Sequence, residues 1–201
     1  MSTEGNGSHT MRKPYWDYFR AIEDDLVLTS RYVEFCPANY GCYSIEFARI
    51  IMAACSELDM LFKVACLKID PKTKVNDIDE FRPVILGKYP HITQAKRFLH
   101  GYDIVLQPFQ SWTSEVNPSW WSKGYNKIKH QRNASFHQAN LENALNAVSG
   151  LMVMLFHYYA LEYGELGHFS ERDFPRLIWP YDEADPFGEG DGFFHSIDFL
   201  K

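Results

Sequence analysis

Residues 139–163 read ANLENALNAVSGLMVMLFHYYALEY, the most regular stretch of the chain. Leu141, Leu145, Val148, Leu151, Met152, Leu155 and Tyr159 recur mostly at spacings of three or four, the period of one helical face. The pattern predicts a long core helix, stopped by Gly164 as a left-handed C′ residue. A helix so apolar is stable only against packed partners, so the fold depends on what the rest of the chain sets against it.

Upstream, Pro118 sits just before a predicted helix in which Trp120, Trp121, Tyr125 and Ile128 share a face with Arg132. One of the two adjacent tryptophans must then point away from that stripe, toward a partner interface. Ser44 is a good N-cap for a second long helix over 44–68, with Ile45, Ala48, Met52, Cys55, Phe62 and Ala65 on one face and Asp70-Pro71 as its stop. Residues 15–35 read as a further helix with Trp16, Phe19, Ile22, Leu26 and Val33 inward and Glu23, Asp24 and Asp25 off the stripe. A weaker helix spans 76–86, with Pro90 marking a turn beyond it. Over 102–109, Ile104, Val105 and Leu106 favour a short extended segment that Pro108 keeps out of a central strand position.

Such helices with short connections predict an all-α, up-and-down bundle of four to five helices. The expected organisation is a disordered leader over 1–12, a helical domain over 13–167 and an irregular acidic, aromatic-rich extension over 168–201. A hydrophobic share of 46% and an aromatic share of 16% fit a packed globule. No wholly apolar run approaches the ~20 residues that span a bilayer, so no membrane association is expected. The first ten residues lack the basic and apolar regions of a secretory signal. Cys36, Cys42, Cys55 and Cys66 have no CxxC spacing; Cys55 and Cys66 fit core thiols, and the expected compartment is the cytoplasm.

The net charge of −6 is unevenly placed. Residues 171–201 carry eight acids against three bases, while the preceding 170 residues hold 18 against 17. Within 119–138 the chain has Lys123, Lys127, Lys129 and Arg132 and no acid at all. A local field of this kind, rather than total charge, governs phosphate binding.

That basic strip contains Arg132-Asn133-Ala134-Ser135-Phe136-His137. A histidine can move a proton and a guanidinium can hold developing phosphorane charge, which together suffice for metal-free phosphodiester cleavage. In one continuous helix, residues five apart lie ~140° from each other and cannot converge. A kink or cap at Asn133 or Ser135 is therefore expected, since both residue types favour caps over helix interiors. The structural alternative has Arg132 bonded to a helix carbonyl or a carboxylate and His137 idle beside a cap.

Arg-Asn-x-x-x-His ahead of the last long helix of an all-α domain resembles the HEPN superfamily. The resemblance covers Arg132, Asn133 and His137 and the helical pattern on either side. It implies a metal-independent endoribonuclease without cofactor, acting on RNA as a homodimer, in a toxin–antitoxin or phage-defence setting with a cognate antitoxin. In that reading Arg132 stabilises the phosphorane and His137 transfers the proton. Asn133 fixes the turn or contacts phosphate, and Lys129, Lys127 and His130 serve substrate binding.

Other readings compete. Tyr125-Asn126-x-x-Lys129-His130-x-Arg132 looks similar to a segment of uncharacterised bacterial helical proteins, which would make His130 the functional imidazole. A non-catalytic module binding nucleotide or protein fits the same cleft. Asp59, near the apolar stripe, is expected to pair with Arg132 or Lys129, either orienting that cation or as a purely structural pair, whereas Glu57 is expected in solvent. Trp120, Trp121 and Tyr125 could stack on bases or pack the core. His157, His168 and His195 show no metal-ligand spacing.

Overall fold

The structure, a computed structural model, describes residues 13–163 and 175–181. The leader, Gly164, His168, His195 and residues 182–201 lie outside that range. The chain folds as an all-α helical bundle of five α-helices among the described residues: α1 Pro14–Thr29, α2 Ile45–Ile69, α3 Ile78–Lys88, α4 Asn126–Ser135 and α5 Leu141–Tyr163. A π-helix, Trp120–Tyr125, runs directly into α4.

Helices α2 and α5 form the central pair, with α1 against both and α3 against α2. Every residue of α5 from Asn143 to Tyr159, except Asn146, is buried. By length and composition α5 could cross a membrane, but 83% of its most apolar window is buried inside the bundle. Ser44 caps α2 as its sequence predicts, its hydroxyl accepting the Phe47 N–H at 3.0 Å. Cys55 and Cys66 are buried thiols within α2. Phe62 anchors an aromatic cluster with Phe81, Phe109, Trp112 and Trp121, ring centroids 5.7–6.1 Å away.

Three boundaries differ from expectation. Helix α1 stops at Thr29 rather than running to 35; the Thr29 and Ser30 hydroxyls turn back onto the Leu26 and Val27 carbonyls and turns follow. Helix α3 begins at Ile78, because Asp77 accepts the Asp79 and Glu80 N–H groups as its cap, and it tolerates Pro83. Helix α5 begins at Leu141, not 139, because Asn140 Oδ1 accepts the Asn143 N–H at 3.0 Å.

The expected extended segment narrows to β2, Val105–Leu106, at one edge of a small antiparallel sheet. Its centre is β1, Arg97–Leu99, and its far edge is β3, Ile178–Pro180, a segment of the C-terminal extension that packs onto the body. Glu23 holds β3 in place. Its carboxylate accepts the backbone N–H groups of Arg176, Leu177 and Ile178 at 2.8–2.9 Å. Glu23 was expected off the apolar stripe but is fully buried, because those three amides, supplied from the other end of the chain, satisfy it. Burial raises its pKa, and the three amides and Arg20 offset part of that rise.

Candidate functional site

Local sequence sets the junction between α4 and α5. Gln131 leaves helical geometry (φ −139°, ψ 40°), so α4 kinks one residue before Arg132. Ser135 departs again (φ −121°, ψ 14°), and Phe136–Gln138 form a 3-10 turn. The break at Ser135 was expected; the one at Gln131 was not, since glutamine is an ordinary helix former. Between the two, Arg132 and Asn133 ride on a single isolated turn. His137 lies in the next turn, freed from the ~140° offset of a continuous helix.

Arg132, Asn133 and His137 are exposed, and none makes a side-chain hydrogen bond among the described residues. The structural alternative in which Arg132 is locked onto a carbonyl or carboxylate therefore does not describe this junction. His130 is exposed as well, just before the kink. Lys127 donates to Gln131 Oε1 at 3.2 Å, bridging toward the kink. Lys129 Nζ stands 5.1 Å from the Tyr125 ring centroid and donates to its hydroxyl at 3.4 Å.

Asp59 is half-buried in α2, and burial raises its carboxyl pKa, while Lys129 and Lys63 pull it back. Of the two cations expected to pair with Asp59, Lys129 acts on it, without a hydrogen bond between them, and Arg132 does not. Glu57, expected in solvent, is instead half-buried, and burial raises its carboxyl pKa.

Trp120 and Trp121 are both buried, 3% and 4% exposed, and Tyr125 is buried beside them, so none is a surface platform for bases. The expectation that one tryptophan points outward fails because a π-helix turns less per residue than the ~100° of an α-helix. Successive indoles can then face the same core. Gly150 of α5 makes room for them: a Cβ there would lie 3.0 Å from the Trp120 ring.

The start of α5 is fastened to the loop before α2. Leu141 N–H donates to Cys42 O, Glu142 N–H to Tyr40 O, and Ser44 N–H to Ala139 O. With Asn140 capping Asn143, the first-turn amides are occupied. The helix therefore offers an anion its dipole but few free N–H donors, and phosphate must be held by side chains. Asn143, buried against Gly124, donates to the Gln138 carbonyl at 2.9 Å and fixes the turn that carries His137. The same fastening sets Tyr43 edge-on to Phe136, centroids 6.0 Å apart, and leaves Tyr43 and Ile45 55% and 71% exposed. Sequence reasoning missed this apolar rim, because Ile45 fits the inward stripe of α2 by period alone.

No family model, curated protein or solved structure matches the chain. Among the described residues, no group of three or more His, Cys, Asp or Glu side chains gathers as a metal site requires.

Proposed function

We propose that the chain is a metal-independent endoribonuclease of HEPN type, working in the cytoplasm as a homodimer, in a toxin–antitoxin or phage-defence setting. The observation that carries this reading is the doubly broken junction. It leaves Arg132, Asn133 and His137, on successive turns, exposed and unengaged in a strip free of acids, which supports their acting on one phosphate. His137 takes the 2′-hydroxyl proton or returns one to the leaving oxygen, and Arg132 neutralises the phosphorane. Asn133 contacts phosphate, and Lys127, Lys129 and His130 draw the RNA strand in. Asp59 steadies Lys129 through space. The products are a 2′,3′-cyclic phosphate and a 5′-hydroxyl. End analysis of a single-stranded RNA incubated with the chain and EDTA tests this: wild type yields those ends and His137→Ala does not. Undiminished cleavage by His137→Ala removes His137 from its role.

A second reading, a non-catalytic module that captures a protein, is favoured by the apolar rim of Tyr43, Ile45 and Phe136 beside the same junction. It predicts partner capture lost in Tyr43→Ser/Ile45→Ser, with no RNA product from any variant.

A further inference from the structure

The rings expected to meet bases, Trp120, Trp121 and Tyr125, are core residues, but one exposed ring stands beside the junction. Tyr43 is 55% exposed, and its backbone is fastened to the start of α5. It forms an antiparallel bridge with Asn140. Ser44 N–H donates to Ala139 O at 3.1 Å on one side of that bridge, and Leu141 N–H to Cys42 O at 2.9 Å on the other. Asn140 in turn donates through its side chain to the His137 carbonyl at 3.3 Å. The Tyr43 ring meets that of Phe136, the residue before His137, at 88°. Backbone bonds and ring packing thus hold this tyrosine to the turn that carries the imidazole.

An exposed tyrosine alone needs no explanation. Tyr43 differs in being fixed from two sides, so little freedom is left to lose when something settles on it. Two kinds of ligand suit such a ring: an unpaired nucleobase, or an apolar side chain of another protein. A stable protein interface buries about 800 Å² on each partner. The rim of Tyr43, Ile45 and Phe136 falls far short of that, whereas a single base covers a single ring. Charge favours the base as well. The acid-free strip carrying Lys127, Lys129 and Arg132 leads directly into Phe136 and suits a phosphate backbone. Of the acids nearby in sequence, Glu46 is held by Arg49 at 2.9 Å, and Glu142 acts on the Tyr40 hydroxyl.

We propose that Tyr43, propped by Phe136, is a stacking platform for an unpaired nucleobase of the RNA whose phosphate the junction receives. This rests on the reading of the junction as an RNA site. The base lies on the open side of the Tyr43 ring, so that the adjoining phosphate meets Arg132 and His137. Stacking tolerates any base, so Tyr43 selects single-stranded over duplex RNA rather than one sequence.

Binding by the full chain carrying His137→Ala separates the platform from catalysis. Fluorescence anisotropy at fixed salt compares a single-stranded RNA with an abasic ribose-phosphate oligomer of the same length. Adding Tyr43→Ala is expected to weaken RNA binding about 5–150-fold and to leave the abasic oligomer unaffected. Tyr43→Trp keeps the affinity, while Tyr43→Leu, apolar but without a ring, loses it, with folding checked by circular dichroism. The salt dependence of RNA binding stays the same, because no phosphate contact is lost. The proposal is overturned if Tyr43→Ala binds RNA as its parent does, weakens both probes alike, or affects only the capture of a protein. A chain that binds no RNA overturns it too. Tyr43-dependent RNA binding by a wild type that cleaves nothing supports the platform and removes the nuclease reading instead.

Discussion

Glu23 Oε1 accepts the backbone N–H of Leu177 at 2.9 Å, joining α1 to the residue just before β3, 154 positions away in sequence. With Arg176 and Ile178 also bonded to it, this one carboxylate satisfies three consecutive amides, those of Leu177 and Ile178 in buried bonds. Glu23→Ala is expected to destabilise the fold by about 3 kcal/mol, from charge-assisted bonds of roughly 1.5–3 kcal/mol each, tempered by rehydration of the freed strand. The distinguishing readout is hydrogen exchange: amides 176–178 lose protection first, while α2 and α5 keep theirs. Unchanged protection at 176–178 would show that the sheet holds β3 without Glu23.

His157 makes stability depend on pH. Burial, with a smaller push from Arg97, lowers its pKa to about 4, against the bond to Val153. A base depressed in the fold stays neutral there while the unfolded chain protonates it near 6.5. Its contribution is therefore complete above pH 6.5 and lost as pH falls toward 4. The loss is on the order of 3 kcal/mol. Denaturant titrations from pH 7.5 to 4 are expected to show a drop of that order in wild type and a flatter profile in His157→Gln. Parallel profiles would assign the acid sensitivity to other groups.

Gly150 and Trp120 form a tight joint between α5 and the π-helix. A mid-helix Gly→Ala change ordinarily stabilises by about 1 kcal/mol. Here the new Cβ would meet the indole at 3.0 Å, and that ring is tethered by its Nε1–H to the Pro108 carbonyl at 2.9 Å. Overpacking of this kind costs about 1–3 kcal/mol. Gly150→Ala is therefore expected to lower stability, by about 1 kcal/mol net in chemical denaturation, with a change in tryptophan fluorescence. A stabilised variant would mean the indole can retreat.

These features differ in how far a sequence can disclose them. Helices α2 and α5 were legible because their apolar period is long and their caps, Ser44 above all, are local chemistry. The small sheet was not legible: β1 and β3 are three residues each, too short for periodicity, and their pairing joins distant parts of the chain. Glu23 read as a surface acid because nothing near it in sequence announces three waiting amides. At the candidate site, the residues were visible as a motif and the break at Ser135 as a propensity. The kink at Gln131 has no residue-type signal, and the packing of both tryptophans in the core follows from the π-helix, which residue-type preferences do not announce.

The central functional claim is that Arg132 and His137 act on one phosphate as a unit across the α4–α5 junction. A double-mutant cycle on kcat for RNA cleavage in EDTA addresses it directly, with folding checked by circular dichroism. The account predicts that His137→Ala alone costs about 10²–10⁴-fold and that adding Arg132→Ala costs little more, because groups that serve one transition state lose their effect together. Strictly multiplicative losses, or a wild type that leaves every RNA intact, would contradict it.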